Sequence, residues 1–181
     1  MDDELIRGRL LSGERIVWSG RPGQGLILSP RDALLIPFSL VWCGFAVFWT
    51  VGANTMGAPS FFDLWGAMFI CIGLYFVFGR FVVDAFIRRG MRYAVTDRRV
   101  LIARAGPFSK FTAIGLNQLP DVNLNEGRSG RGTIRFGQAA SMWGNRGMGE
   151  WTPAFDPTPQ FIAIDDVHRV FDLIQRSTSQ A

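Results

Sequence analysis

Two long apolar runs dominate the pattern of hydrophobic and polar positions. The first, residues 33–51 (ALLIPFSLVWCGFAVFWTV), holds 19 residues without a charge. That is about the length a helix needs to cross ~30 Å of hydrocarbon at ~1.5 Å per residue. The second, residues 64–79 (LWGAMFICIGLYFVFG), is shorter, but Phe61 and Phe62 precede it and Phe81, Val82 and Val83 follow Arg80. The short separation predicts antiparallel neighbours: a transmembrane hairpin over residues 30–87, with helices at about 30–51 and 61–87. Ser29-Pro30-Arg31-Asp32 reads as a helix start, with a hydroxyl at the cap, proline first and a carboxylate third. Ser60-Phe61-Phe62-Asp63 repeats it. Pro37 falls inside the first helix and frees the carbonyl of Ala33. Gly66 and Gly73, seven apart on the second, allow close helix approach.

Outside the runs the pattern changes. Residues 1–29 are mostly polar, with a strand near 15–19 (Arg15-Ile16-Val17-Trp18-Ser19) stopped by Gly20-Arg21-Pro22-Gly23. Trp18 is expected to pack on the C-terminal part. After residue 91, β-branched and aromatic residues predict strands at 92–96, 99–104, 108–116, 119–126, 133–137 and 161–164, with Asp97-Arg98 as a tight turn. Residues 138–160 carry Gly, Trp, Met and Pro without a period, too long a stretch for a neutral connector. A helix is predicted over 165–176, where Val167, Val170, Phe171 and Ile174 follow the i, i+3, i+4, i+7 spacing of a buried face. The fold class expected is therefore an α+β membrane protein.

Charge fixes the expected orientation. Basic residues are almost all arginine, with Lys110 the single lysine, and the formal net charge is +4. Arg7, Arg9, Arg15, Arg21 and Arg31 precede the first run, and Arg80, Arg88, Arg89 and Arg92 follow the second. The loop between them, GANTMGAPS, has no positive charge. Positive flanks stay inside, so both termini are expected in the cytoplasm and the loop outside. Trp49 and Trp65 fall where an outer aromatic belt is expected, and Trp42 lies deeper, between the helices. No cleavable signal sequence is expected, because the first apolar run starts late and lacks a small-residue cleavage site. Cys43 and Cys71 both lie within the apolar runs and read as small apolar side chains.

Four phrases resemble one family. They are Gly13-Glu14-Arg15-Ile16-Val17-Trp18 with Gly20 and Pro22; Tyr93-Ala94-Val95-Thr96-Asp97-Arg98-Arg99-Val100; Gly132-Thr133-Ile134-Arg135-Phe136-Gly137; and Phe161-Ile162-Ala163-Ile164-Asp165-Asp166-Val167. Together they resemble the bacterial pleckstrin-homology (PH)-like domain proteins, in which such a domain is attached to paired membrane helices. The Tyr-x-Val-Thr-x-x-Arg phrase is the most specific part. The resemblance implies a strongly bent antiparallel sheet of about seven strands, capped by a C-terminal α-helix. It would give a cytoplasmic N-terminal segment 1–29 whose strand near 15–19 joins the sheet, the hairpin 30–87, and a PH-like β domain 88–181 with residues 138–160 as a loop insertion.

Candidate chemistry is sparse. No catalytic set, cofactor motif or metal site is expected. His168, the single histidine, falls on the polar face of the last helix. The glycine-dense stretches 127–132 and 144–149 lack the P-loop lysine and read as turns. Asp63 reads as a carboxylate at a helix's positive end. Arg80, Asp84 and Arg88 read as a polar stripe on a helix leaving the membrane, with a buried pair in a transport path as the alternative. Arg88, Arg89, Arg98 and Arg99 are the candidates for lipid headgroup contact, each contributing ~1 kcal/mol near an anionic surface. For Arg98 and Arg99 the alternative is that they only fix the turn beside Asp97. Trp143, Met148 and Trp151 are candidates to enter the interface or to cover a sheet edge. The expected function is a non-enzymatic binding or scaffold module, integral to a bacterial inner membrane. It would contact protein partners or anionic headgroups at the cytoplasmic face, and not nucleic acid. The alternative is a structural or regulatory subunit of a larger, homo-oligomeric or mixed, membrane assembly.

Overall fold

The computed structural model, which describes residues 4–28, 32–127, 130–137, 154 and 156–179, is α+β. Its two units are Leu26–Val83 and, formed from both ends of the chain, Met1–Gly25 with Asp84–Ala181.

The first unit follows from the apolar runs. Helix α2 (Asp32–Thr55) holds Pro37 within it, and α3 (Ser60–Leu74) continues through a π-helical turn (Tyr75–Gly79) into α4 (Arg80–Arg89). The continuous stretch Ser60–Arg89 has 30 residues, so both helices are long and apolar enough to cross a membrane. Only 11% and 22% of their most apolar windows are buried within the protein, whereas a soluble core helix would be largely covered. The two helices are antiparallel neighbours and glycine sets their approach. A Cβ added at Gly66 would lie 2.2 Å from Thr50 Oγ1, and one at Gly73 2.9 Å from Cys43 Cβ. Both glycines are thus occupied in seating α2. Trp42 stacks on Phe69 between the helices, with centroids 5.7 Å apart.

Helix α3 starts differently from expectation. Pro59 is extended and occupies the cap position without a side-chain cap, so Ser60 is already helical and cannot serve as one. Asp63 in the first turn instead accepts Asn54 Nδ2–H at 3.2 Å from the end of α2. The corresponding start at Ser29, Pro30 and Arg31 lies outside the described residues.

In the second unit a short helix α1 (Glu4–Arg7) precedes β1 (Ile16–Gly20), and after α4 come β2 (Met91–Thr96), β3 (Arg99–Arg104), β4 (Lys110–Gly115), β5 (Val122–Glu126), β6 (Gly132–Phe136), β7 (Gln160–Ile164) and α5 (Val167–Ser179). Each predicted strand is present, but they form two antiparallel sheets rather than one bent one. Their orders are β1-β2-β3-β4 and β5-β6-β7. The break falls after β4, where a 3₁₀ turn (Leu116–Gln118) buries Leu116 and ties its N–H to the Arg98 carbonyl at 2.9 Å. With Arg99 opposite Gly115, that bond is the last rung of the β3–β4 register, and the chain turns away after it.

The sheets meet around Phe161, fully buried on β7. Its ring centroid is 4.6 Å from Tyr93, 5.1 Å from Phe136 and 5.5 Å from Trp18. Trp18 thus packs where its isolation in the sequence required. The Ile162 N–H donates to the Tyr93 hydroxyl at 3.2 Å, a polar tie between the sheets. Burial pushes the Tyr93 phenol well above its ordinary range. Helix α5 begins at Val167, later than predicted, because Asp166 takes a positive φ of 50° in the preceding turn. Val167, Val170 and Ile174 are buried and Phe171 is half-buried. Gly132 admits Val167, whose Cγ1 would sit 2.8 Å from an added Cβ. Of the aperiodic stretch 138–160, residues 138–153 and 155 lie outside the described residues, among them Trp143, Met148 and Trp151.

Because the seat at Gly66 has no room for a methyl group, Gly66→Ala is expected to lower unfolding stability in detergent by about 1–3 kcal/mol. Thr50→Ala in the same chain, which removes the atoms in the way, should recover part of the loss.

Candidate functional site

The four arginines nominated for headgroup contact fall into two classes. Arg88, on the last turn of α4, is fully buried. Its Nε–H donates to Asp84 Oδ2 at 2.6 Å one turn back, Nη1 donates to the Gly23 carbonyl, and Nη2 donates to the Gly25 carbonyl at 2.6 Å. Asp84 in turn accepts the Ala154 N–H at 3.0 Å through Oδ1. This pair therefore clamps the segment after β1 to the helix before β2. A headgroup would have to displace three charge-assisted hydrogen bonds to reach it.

The expected stripe of Arg80, Asp84 and Arg88 consequently divides. Arg80 pairs with Asp32 of α2 at 2.8 Å, and the two side chains are 2% and 8% exposed. Its guanidinium lies 4.4 Å over the Phe81 ring, and its Nε and Nη2 are buried without a hydrogen-bond partner among the described residues. The pair joins α2 to α4 within the helical unit.

Arg99 is also engaged. At the start of β3 it forms a fork with Glu14: Nε donates to Oε1 and Nη2 to Oε2, each at 2.8 Å, and Nη2 also reaches the Arg9 carbonyl at 2.8 Å. The Thr96 hydroxyl donates to Glu14 Oε1 at 2.8 Å and accepts the Arg99 N–H at 2.9 Å. The Arg99 guanidinium, with help from the Leu11 N–H and Thr96, holds the Glu14 carboxyl down to about 2 although burial opposes it. The same fork raises Arg99 above its ordinary value. Two phrases that carry the family resemblance meet here, Glu14 from the first and Thr96 and Arg99 from the second. The turn between β2 and β3 is further tied to the N-terminal segment, since Asp97 Oδ1 accepts the Arg15 N–H at 3.0 Å.

Arg89 and Arg98 remain exposed. They stand at opposite ends of β2, whose six residues separate them by ~20 Å at ~3.3 Å per residue. A single headgroup cannot take both. His168 meets Glu126 at 3.0 Å on the surface, and the free Cys43 and Cys71 lie on α2 and α3. Among the described residues there is no group of three or more His, Cys, Asp or Glu side chains able to hold a metal ion.

Sequence periodicity set Asp84 and Arg88 one helical turn apart on one stripe, the spacing at which they pair, but missed Asp32 and Glu14 as the partners of Arg80 and Arg99. For Glu14 the available signal was its place inside the first phrase of the resemblance, next to a strand start. Comparisons with family models, with curated proteins and with solved structures returned no match to this chain.

Breaking a buried pair leaves an uncompensated charge, so Arg88→Met should destabilise the protein by about 3–5 kcal/mol, whereas Arg89→Gln and Arg98→Gln should stay within about 0.5 kcal/mol. Urea unfolding in detergent distinguishes the two classes. For Glu14, a carboxyl lowered in the folded state stabilises the protein fully above its ordinary value of 4.5 and ceases to do so as the pH falls toward about 2. Glu14→Gln should therefore cost about 1–3 kcal/mol at neutral pH and flatten the stability profile across that acidic window.

Proposed function

We propose that this chain is an integral protein of a bacterial inner membrane. Its helix pair spans the bilayer as a hairpin, and its β unit acts as a PH-like, non-enzymatic binding or scaffold module at the cytoplasmic face. The observation that carries the reading is that the two helices are inserted within a β unit. Strand β1 precedes them and β2 follows them, yet the two pair antiparallel, with Ser19 opposite Ala94 and Gly20 opposite Tyr93. A hairpin whose two ends feed one sheet keeps both ends on one side of a membrane. That agrees with the arginine-rich flanks and the uncharged loop, which put that side in the cytoplasm.

The PH-like assignment is supported by seven antiparallel strands followed by a C-terminal helix whose apolar face is buried. It is supported as well by the meeting of the resembling phrases in the Glu14–Thr96–Arg99 cluster. In this reading the module works by contact, with protein partners or with anionic headgroups. Of the four nominated arginines, Arg89 and Arg98 have the exposure such contact needs. The glycines that would favour tight association with another helix already seat α2, which weakens the subunit alternative.

Reporter fusions test the topology. A cytoplasm-active reporter joined after Ala181 should be active, and a periplasm-active reporter inserted after Met56, in the loop, should be active too. A periplasm-active signal after Ala181, or recovery of the full chain in the soluble fraction, would overturn the reading.

A further inference from the structure

We propose that the end of α4 and the tip of the β3–β4 hairpin form a docking surface for the anionic phospholipid headgroup layer. In this arrangement Phe86 and Phe108 enter the interface and Arg89 contacts headgroup phosphates. The inference rests on the membrane reading above and assigns a lipid-facing site within it.

The surface is built rather than incidental. A groove runs between Phe86, Arg89 and Gly90 on one side and Ala105, Pro107 and Phe108 on the other. Its walls are tied together: the Ala105 N–H donates to the Gly90 carbonyl at 2.8 Å. The approach is close enough that a Cβ on Gly90 would lie 2.8 Å from the Ala105 oxygen. The tip turns at Gly106, whose φ of 101° suits glycine alone. Beneath the tip, Arg104 donates from Nε to the Phe108 carbonyl and from Nη1 to the Ala154 carbonyl, so it braces the turn from the half-buried side. Phe86 and Phe108 are held on this frame 62% and 52% exposed. An exposed cation, Arg89, stands beside them.

Two large aromatic side chains presented to solvent, one by the end of a helix and one by a braced turn, next to an arginine, are the composition of an interfacial contact. Continuity selects the occupant. Helix residues Ser60–Arg89 are unbroken, 30 in number, ~45 Å at ~1.5 Å per residue against ~30 Å of hydrocarbon. The excess carries the end of α4 through the headgroup layer, and the chain tethers the groove there at a high effective concentration of lipid. A cytoplasmic leaflet is anionic and complements Arg89.

The test uses the full chain in a Cys43→Ala/Cys71→Ala background, reconstituted in phosphatidylcholine vesicles with and without phosphatidylglycerol. Single spin labels are placed by Phe108→Cys at the tip, Phe48→Cys on the exposed face of α2 and Gln118→Cys on the surface of the β unit. With phosphatidylglycerol present, the label at 108 should collide freely with oxygen and poorly with an aqueous nickel chelate, as the label at 48 does. The label at 118 should remain open to nickel. Arg89→Gln should reduce the docking equilibrium at 108 about fivefold.

Nickel access at 108 equal to that at 118, with 48 still in lipid, overturns the docking surface and leaves the membrane reading standing. Nickel access at 48 overturns both. A label at 108 shielded from oxygen and nickel alike, with spin–spin broadening, assigns the face to a second copy and not to lipid. Equal depth with and without phosphatidylglycerol removes the role given to Arg89.

Discussion

Strand β1 is hydrogen-bonded to β2 although residues 21–90 lie between them. That pairing is the constraint on which the other features depend. It makes the Leu26–Val83 helical unit an insertion in a β unit rather than an N-terminal appendage. It also provides Trp18 with its place against Phe161, so a residue ahead of the apolar runs helps fill the core between sheets built from the far end of the chain. The cost is entropic. Closing a loop this long is unfavourable, and an antiparallel helix pair that brings its own ends together lowers that cost before the strands meet.

Buried charge reinforces the pairing. Glu14 before β1 is forked to Arg99 at the start of β3, and Gly23 and Gly25 after β1 receive Arg88 from α4. The strand is held at both ends by guanidinium groups that reach across the insertion. Arginine suits this use because its planar donors remain charged and satisfy two or three acceptors at once. In this chain the basic flanks thus have two tasks. Some arginines are consumed in folding the β unit, and Arg89 and Arg98 keep the exposure needed to face something else.

Much of the fold was legible in the sequence, because it follows from periodicity. The uninterrupted apolar runs gave α2 and α3, β-branched alternation gave the strands, and Val167, Val170 and Ile174 gave the buried face of α5. What periodicity does not carry was missed. The division into two sheets depends on the chain turning away through Leu116–Gln118, and hydrophobic alternation is silent on that. Ser60 has the right residue type for a cap but follows an extended proline that takes the cap position. The candidate site was legible only as a set of basic residues. Arg88 and Arg89 are neighbours in sequence, and the turn of a helix buries one and exposes the other. Their sorting needed the positions of Asp84, Gly23 and Gly25, which lie a helical turn or a whole hairpin away.

The most direct measurement of the central pairing is hydrogen exchange, residue by residue, on the full chain in lipid discs. The account predicts that the β1 amides directed at β2 are protected together with those of β2, and that both open in one cooperative step. Exchange of Ile16–Gly20 at the rate of an unstructured segment, while Met91–Thr96 stays protected, would contradict it.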